Sequence, residues 1–276
     1  MKNDVSENKQ RPSLKAYQDP TFLNSRDARA LRILAEYLEP EARFDRLNVK
    51  DTIVFLGSAR TLPEDDAQAA LESAKAGGGD TEQAEMQLRM SHYYGEAREL
   101  ARRLTEWSKG LEGRERRFVI CTGGGPGIME AANRGASEAK GLNVGLTISL
   151  PAQEFANTYV TRRLSLHFHY FFMRKFWFTY LAKAIIVMPG GFGTLDEFFE
   201  VLTLLQTLKI KKRMPIVLFG TAFWDDIVNF EGLARYGMID KDDLEFMRRT
   251  DSVDEAFEFI TGELTKHALE SPGASL

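Results

Sequence analysis

Two spacings alternate along the chain. Short apolar runs, read as buried strands, cover Thr52–Leu56, Arg117–Cys121, Val144–Leu150 (closed by Pro151), Ala184–Met188 and Pro215–Phe219. Between them, apolar residues recur every three or four positions, the period of a helix face. Ser25 is placed to cap a helix through Tyr37 or Leu38, with Leu31, Leu34 and Leu38 on one face and Pro40 near its end. Further helices are expected over Tyr94–Trp107, over Ile128–Lys140 (stopped by Gly141), over the aromatic segment 168–182, after Thr194, and around Trp224–Tyr236. Phe246, Val253, Phe257 and Ile260 suggest a last short strand and a closing helix. Strands and helices in this alternation predict an α/β fold: a Rossmann-like, doubly wound parallel sheet with helices on both faces and a ligand site at the C-terminal strand ends. Residues 1–48 read as an N-terminal arm and helix, with 1–24 a loose tail. Residues 49–276 read as one domain, and about 61–84, acidic and alanine-rich with Gly77-Gly78-Gly79-Asp80, as a partly helical, mobile insertion.

Composition narrows the partners. The formal net charge is -4 and there is no dense basic stripe, which argues against nucleic acid. Cys121 is the single cysteine, so internal disulfides and multi-cysteine metal sites are excluded and a reducing, cytoplasmic setting is expected. The polar first twenty residues predict no signal peptide. The aromatic run 168–180 is broken by Arg174 and Lys175, so no membrane span is expected.

Glycine marks three strand ends: Gly57-Ser58, Gly123 to Gly127, and Gly190 to Gly193. Any one of these can be explained by a tight strand-to-helix turn, but three in one sheet favour a shared crevice. None continues into the Gly-Lys-Ser/Thr of a P-loop, and the Gly123–Ile128 turn lacks the third glycine of a dinucleotide fingerprint, so a single phosphate is the better guest. At Pro189–Glu197 a strand, a glycine turn and a helix start meet, offering free amides and a helix dipole to an anion. Thr194-x-x-Glu197 also fits a capping box, which would commit both side chains to the backbone. That reading is slightly the stronger for the pair alone, and it puts Glu197 at risk as an acid or base. Arg174 and Lys175 sit among aromatics, where they either snorkel to water or meet an anion or Glu197. His167 and His169 have no third ligand nearby and read as packing or polar-edge residues. Cys121 reads as a core residue.

With these residues in hand the chain resembles the LOG (Lonely Guy) family, often labelled lysine decarboxylase-like. Pro189 to Glu197 is similar without a gap to the family's PGGxGTxxE. Met173-Arg174-Lys175 matches its Arg-Lys motif, and Gly123 to Met129 is similar to its GGGxxGLM element with Ile128 for Leu. The resemblance runs from about Thr52 to about Tyr236 and is nearer the longer bacterial members. It implies hydrolysis of the N-glycosidic bond of a purine nucleoside 5′-monophosphate, AMP or a cytokinin riboside 5′-monophosphate, to base and ribose 5-phosphate. It further implies Glu197 and Arg174 as catalytic residues, and no metal or cofactor. Gly190, Gly191, Gly193 and Thr194 would hold the phosphate, with Ser58, Gly123, Gly124 and Lys175 as further substrate contacts. A homodimer is expected. Two rivals stay open: pyridoxal-phosphate lysine decarboxylation, and a carrier that binds nucleotide or molybdenum cofactor without cleaving it.

Overall fold

A computed structural model describes residues 13–77, 79–111, 113, 115–149 and 156–274. Seven strands, β1 (Thr52–Leu56), β2 (Val119–Thr122), β3 (Asn143–Ile148), β4 (Ser165–Phe168), β5 (Ala182–Val187), β6 (Ile216–Phe219) and β7 (Met247–Thr250), form one parallel sheet in the order β4-β3-β2-β1-β5-β6-β7. The chain winds outward from β1 in one direction through β4, then returns to place β5 on its other side. The switch point therefore lies between β1 and β5, where such sheets open a ligand crevice.

The helices of the described residues are α1 (Pro20–Leu23), α2 (Arg29–Arg46), α3 (Glu64–Gly77), α4 (Thr81–Lys109), α5 (Ile128–Glu138), α6 (Phe171–Tyr180), α7 (Phe192–Gln206), α8 (Thr221–Ile227), α9 (Phe230–Arg235) and α10 (Val253–His267). Alternation along β1 sorts them into two layers. Ile53 and Phe55 pack with Leu100, Ala132 and Ile260 of α4, α5 and α10. Val54 and Leu56 pack with Phe44, Trp177, Phe198 and Trp224 of α2, α6, α7 and α8. The inner strands β1, β2, β5 and β6 are buried on both faces, which is why they read as continuous apolar runs rather than alternating ones.

Several expected boundaries move. Ser25 does not cap α2; Ala28 stands at its N-terminus without a side-chain bond, and Arg32 donates back to the carbonyls of Leu23 and Ser25. Nor does Pro40 end this helix, which runs on to Arg46. Proline at 40 leaves the carbonyl of Glu36 without its i+4 donor. The indole Nε1 of Trp177 supplies one at 3.0 Å, so the irregularity becomes a junction between α2 and α6. The expected insertion folds as α3 and the start of α4, with Ala67, Leu71 and Ala84 buried and Asp80 capping α4 by accepting from Gln83 N. Gly78 lies outside the described residues, as do residues 1–12 of the expected tail. The second strand starts at Val119, because Phe118 adopts a left-handed φ of 54°. The third ends at Ile148, with Leu150 and Pro151 outside the described residues. The aromatic segment gives the helix α6, which starts at Phe171; the strand before it, β4, was not expected, and the Trp224–Tyr236 region is two short helices.

At the N-terminal ends of the strands lies a buried charge cluster that spacing did not reveal. Asp51, fully buried, accepts from Arg117 Nε and from Gly273 N, and Lys183 Nζ stands 3.7 Å away. Arg117 also donates to the carbonyls of Ala268 and Leu269, and Lys183 to that of Ser271. Burial pushes the Asp51 carboxyl up and the Lys183 ammonium down, and their mutual attraction opposes both shifts. The segment after α10 is thereby tied beneath the sheet.

Candidate functional site

The C-terminal strand ends enclose a cavity of about 630 Å³. Its walls include Gly57, Ser58, Ala59 and Arg60 after β1, Gly123 and Gly125 after β2, and Gly190 to Leu195 after β5. Arg174, Glu197 and His167 also line it. The glycines let the turns approach one another. A Cβ at Gly127 would meet Ser58 O at 2.3 Å, and one at Gly57 would meet Ile128 Cγ2 at 2.6 Å. The turn after β2 is thus pressed against the turn after β1, and Ile128 N donates to Ser58 O.

Helix α7 begins at this junction. Gly191 is its N-cap and makes no side-chain cap bond, so the first amides, on Phe192, Gly193 and Thr194, lack intrahelical acceptors. Gly190 packs under Thr194: a Cβ there would lie 2.1 Å from Thr194 Oγ1. Gly191 and Gly193 have open space around the same position. The resulting cradle of amides at a helix N-terminus is suited to an anionic oxygen.

The expected capping box is absent. With Gly191 as N-cap, Thr194 falls at the third helical position, and the Glu197 carboxylate turns away from the backbone to accept from Arg174 Nη2 at 2.7 Å. Both side chains of this pair are nearly enclosed, 12% and 14% exposed. Burial raises the Glu197 carboxyl to about 7, against the pull of the Arg174 charge. The guanidinium lies 5.2 Å from the Phe171 ring centroid and 5.5 Å from that of Phe178, and its Nε is buried without an acceptor among the described residues. An acid titrating near neutrality, charged at least in part and facing a cavity, is equipped for proton transfer or for stabilising a cation.

Not every expected site residue arrives. Lys175 points away from the cavity and is held by Asp196 (2.7 Å) and Glu200 (3.0 Å), one turn apart on α7. Gly124 does not line it either. Its φ of +70° shapes the turn, and a Cβ there would press on Thr147 Cγ2 at 2.8 Å. Cys121 is buried in the core, and its thiol is pushed up chiefly by that burial and further by the Glu197 charge. Sequence reasoning passed over Thr147, Arg60, Phe223 and Ile227, which line the cavity from β3, the β1 turn and α8, and it read His167 as a packing or polar-edge residue with no place in the site. The signal for His167 was the alternation within β4, where Leu166 and Phe168 are buried and His167 is exposed.

A doubly wound α/β protein with an anion cradle and a buried acid at its switch point is the class that fold and cavity define. A family model described as "Possible lysine decarboxylase", a label that also covers the LOG family, matches residues 129–260, a little under half of the chain. A "Pyrimidine/purine nucleotide 5'-monophosphate nucleosidase" of Escherichia coli (strain K12) is 32% identical over 114 residues, 38% of this chain and 25% of that protein. The match thus spans about a quarter of the relative's length. Among solved structures, the molybdenum cofactor carrier protein of Chlamydomonas reinhardtii is 16% identical with a TM-score of 0.48, covering 78% of this chain and 99% of that one. The molybdenum cofactor binding protein of Rippkaea orientalis is 18% identical with a TM-score of 0.45, covering 77% and 96%. Similarity at this level carries no argument about function.

Proposed function

We propose that the chain is a nucleoside 5′-monophosphate phosphoribohydrolase. The observation that carries this reading is the Glu197 carboxylate, held by Arg174 and opening onto the same cavity as the amides that begin α7. In this reading the 5′-phosphate rests on the amides of Phe192, Gly193 and Thr194, and remote binding there fixes the ribose beside Glu197. As the C1′–N bond breaks, positive charge grows on the ribose and the base leaves with the bonding pair. Ionised Glu197 stabilises that charge and takes a proton from the attacking water, whose oxygen forms the new bond to C1′. The departing base gains a proton, so one water is consumed and base and ribose 5-phosphate result.

The test is incubation with AMP and chromatography for adenine and ribose 5-phosphate, with Glu197→Gln as control. A panel of purine, pyrimidine and prenylated adenosine monophosphates then defines the base. Stoichiometric AMP binding with no product would favour a nucleotide carrier instead. Pyridoxal phosphate does not fit this cavity. No lysine stands among its described lining residues, Lys175 is committed to two carboxylates, and Lys183 is buried at the other end of the sheet.

The proposal includes a homodimer. Leu195, Phe199, Leu202, Leu204 and Leu205 of α7 are only partly buried within one chain, and Phe171 and Phe172 of α6 are 49% and 54% exposed. Light scattering on the eluting peak of a size-exclusion column would reveal a monomer if this is mistaken.

A further inference from the structure

His167 is held at both nitrogens. It stands on edge strand β4, in register with Thr147 of β3. Thr147 Oγ1 donates its one hydrogen to Leu166 O at 3.0 Å, so towards His167 Nδ1, 2.9 Å away, it can only accept. Nδ1 therefore carries the ring proton. In the neutral ring Nε2 is then the acceptor, and Ser149 Oγ, at 2.9 Å, donates to it. The hydroxyls of Thr147 on β3 and of Ser149 just past it thus fix the ring's orientation and occupy both of its polar atoms. The ring remains exposed on the cavity wall, and what it can offer a ligand is its flat face.

The position of Glu197 says what would lie against that face. Glu197 faces Arg174 on α6, and α6 packs on β3 and β4. From the α7 amides, a path past the acid therefore leads towards β3 and β4, not towards Phe223 and Ile227 of α8 on the far side of β5. Four strand spacings separate β5 from β4, on the order of 19 Å at the backbone. The His167 side chain, reaching into the cavity from the last strand, shortens that span towards the length of a nucleotide. Gly124 belongs to the same device, since its missing Cβ leaves room for the Thr147 that orients the ring.

We propose that His167 is the stacking platform for the nucleobase, and so a base-binding residue that sets the cavity's affinity for a nucleotide over ribose 5-phosphate. This rests on the nucleotide reading above. An aromatic face tolerates any base, and its loss costs on the order of tenfold or more in affinity.

The test measures equilibrium binding of AMP and of ribose 5-phosphate to the full chain carrying Glu197→Gln, which removes turnover. Adding His167→Ala is expected to weaken AMP by about tenfold and to leave ribose 5-phosphate within twofold. His167→Phe, which keeps a flat ring and discards both nitrogens, restores AMP affinity. Phe223→Ala leaves it unchanged. The proposal is overturned if Phe fails to rescue, if ribose 5-phosphate weakens as much as AMP, or if Phe223→Ala carries the loss. It is overturned too if AMP binds the His-bearing chain no better than ribose 5-phosphate. Failure of the wild-type chain to release adenine would overturn the hydrolase reading alone, since the binding measurements need no turnover.

Discussion

Glu197 is caught between two environments. Enclosure favours its neutral form, and Arg174 at 2.7 Å favours the charged one. A carboxyl raised in the folded state contributes stability below its unfolded value, and that contribution disappears as pH climbs through about 7. Glu197→Gln does not titrate, so its stability relative to wild type should grow between pH 4.5 and pH 8, by on the order of 3 kcal/mol. Melting curves across that range check it, and a constant difference would refute the buried acid. The same substitution should lower kcat by about 10²–10⁴-fold while AMP affinity stays within a few fold. Arg174→Met should move the acidic limb of the kcat/KM profile to higher pH, because the charge that favours ionisation is gone. Lys175→Met should move it less, being the weaker influence. The motif did bring Glu197 and Arg174 together in sequence terms, but Thr-x-x-Glu spacing could not reveal which residue caps the helix. That depends on where the backbone starts to coil, and here it starts two residues before Thr194.

Helix α6 owes its placement to α2. The Glu36 carboxylate accepts from the amides of His169 and Tyr170 at the head of α6, while its carbonyl, freed by Pro40, accepts from Trp177. Glu36→Ala should cost about 1 kcal/mol, as loss of a helix cap does, and should reduce kcat by loosening the helix that bears Arg174. Denaturant titration and steady-state kinetics on one preparation test both. The cradle makes a sharper contrast. Gly190→Ala drives a methyl into Thr194 and should abolish ribose 5-phosphate binding, whereas Gly191→Ala meets open space and should retain it. Calorimetry on the two variants decides. Periodicity identified α4, α5, α7 and α10 because each buries a stripe against the sheet. It missed β4, because four residues at the head of an aromatic-rich segment are too few to show a period and only pairing with β3 marks the strand.

Across the whole molecule, the α/β alternation was legible because buried parallel strands read as uninterrupted apolar runs. The charge cluster around Asp51 was not, since its members lie far apart in sequence and meet only through the sheet. Asp51→Ala removes the buried carboxylate that Arg117 and Lys183 face and should cost about 3–5 kcal/mol in chemical denaturation. The folded fraction should keep its kcat/KM, because the cluster lies at the opposite ends of the strands from the cavity. That separation has a practical side. The proposed ligand contacts lie on one rim of the sheet and the anchorage of the chain's last segment on the other. A library confined to upper-rim positions outside the tight glycine turns and the Glu197–Arg174 pair should therefore shift selectivity with little change in melting point, and the lower rim is where a protein engineer should leave every letter alone.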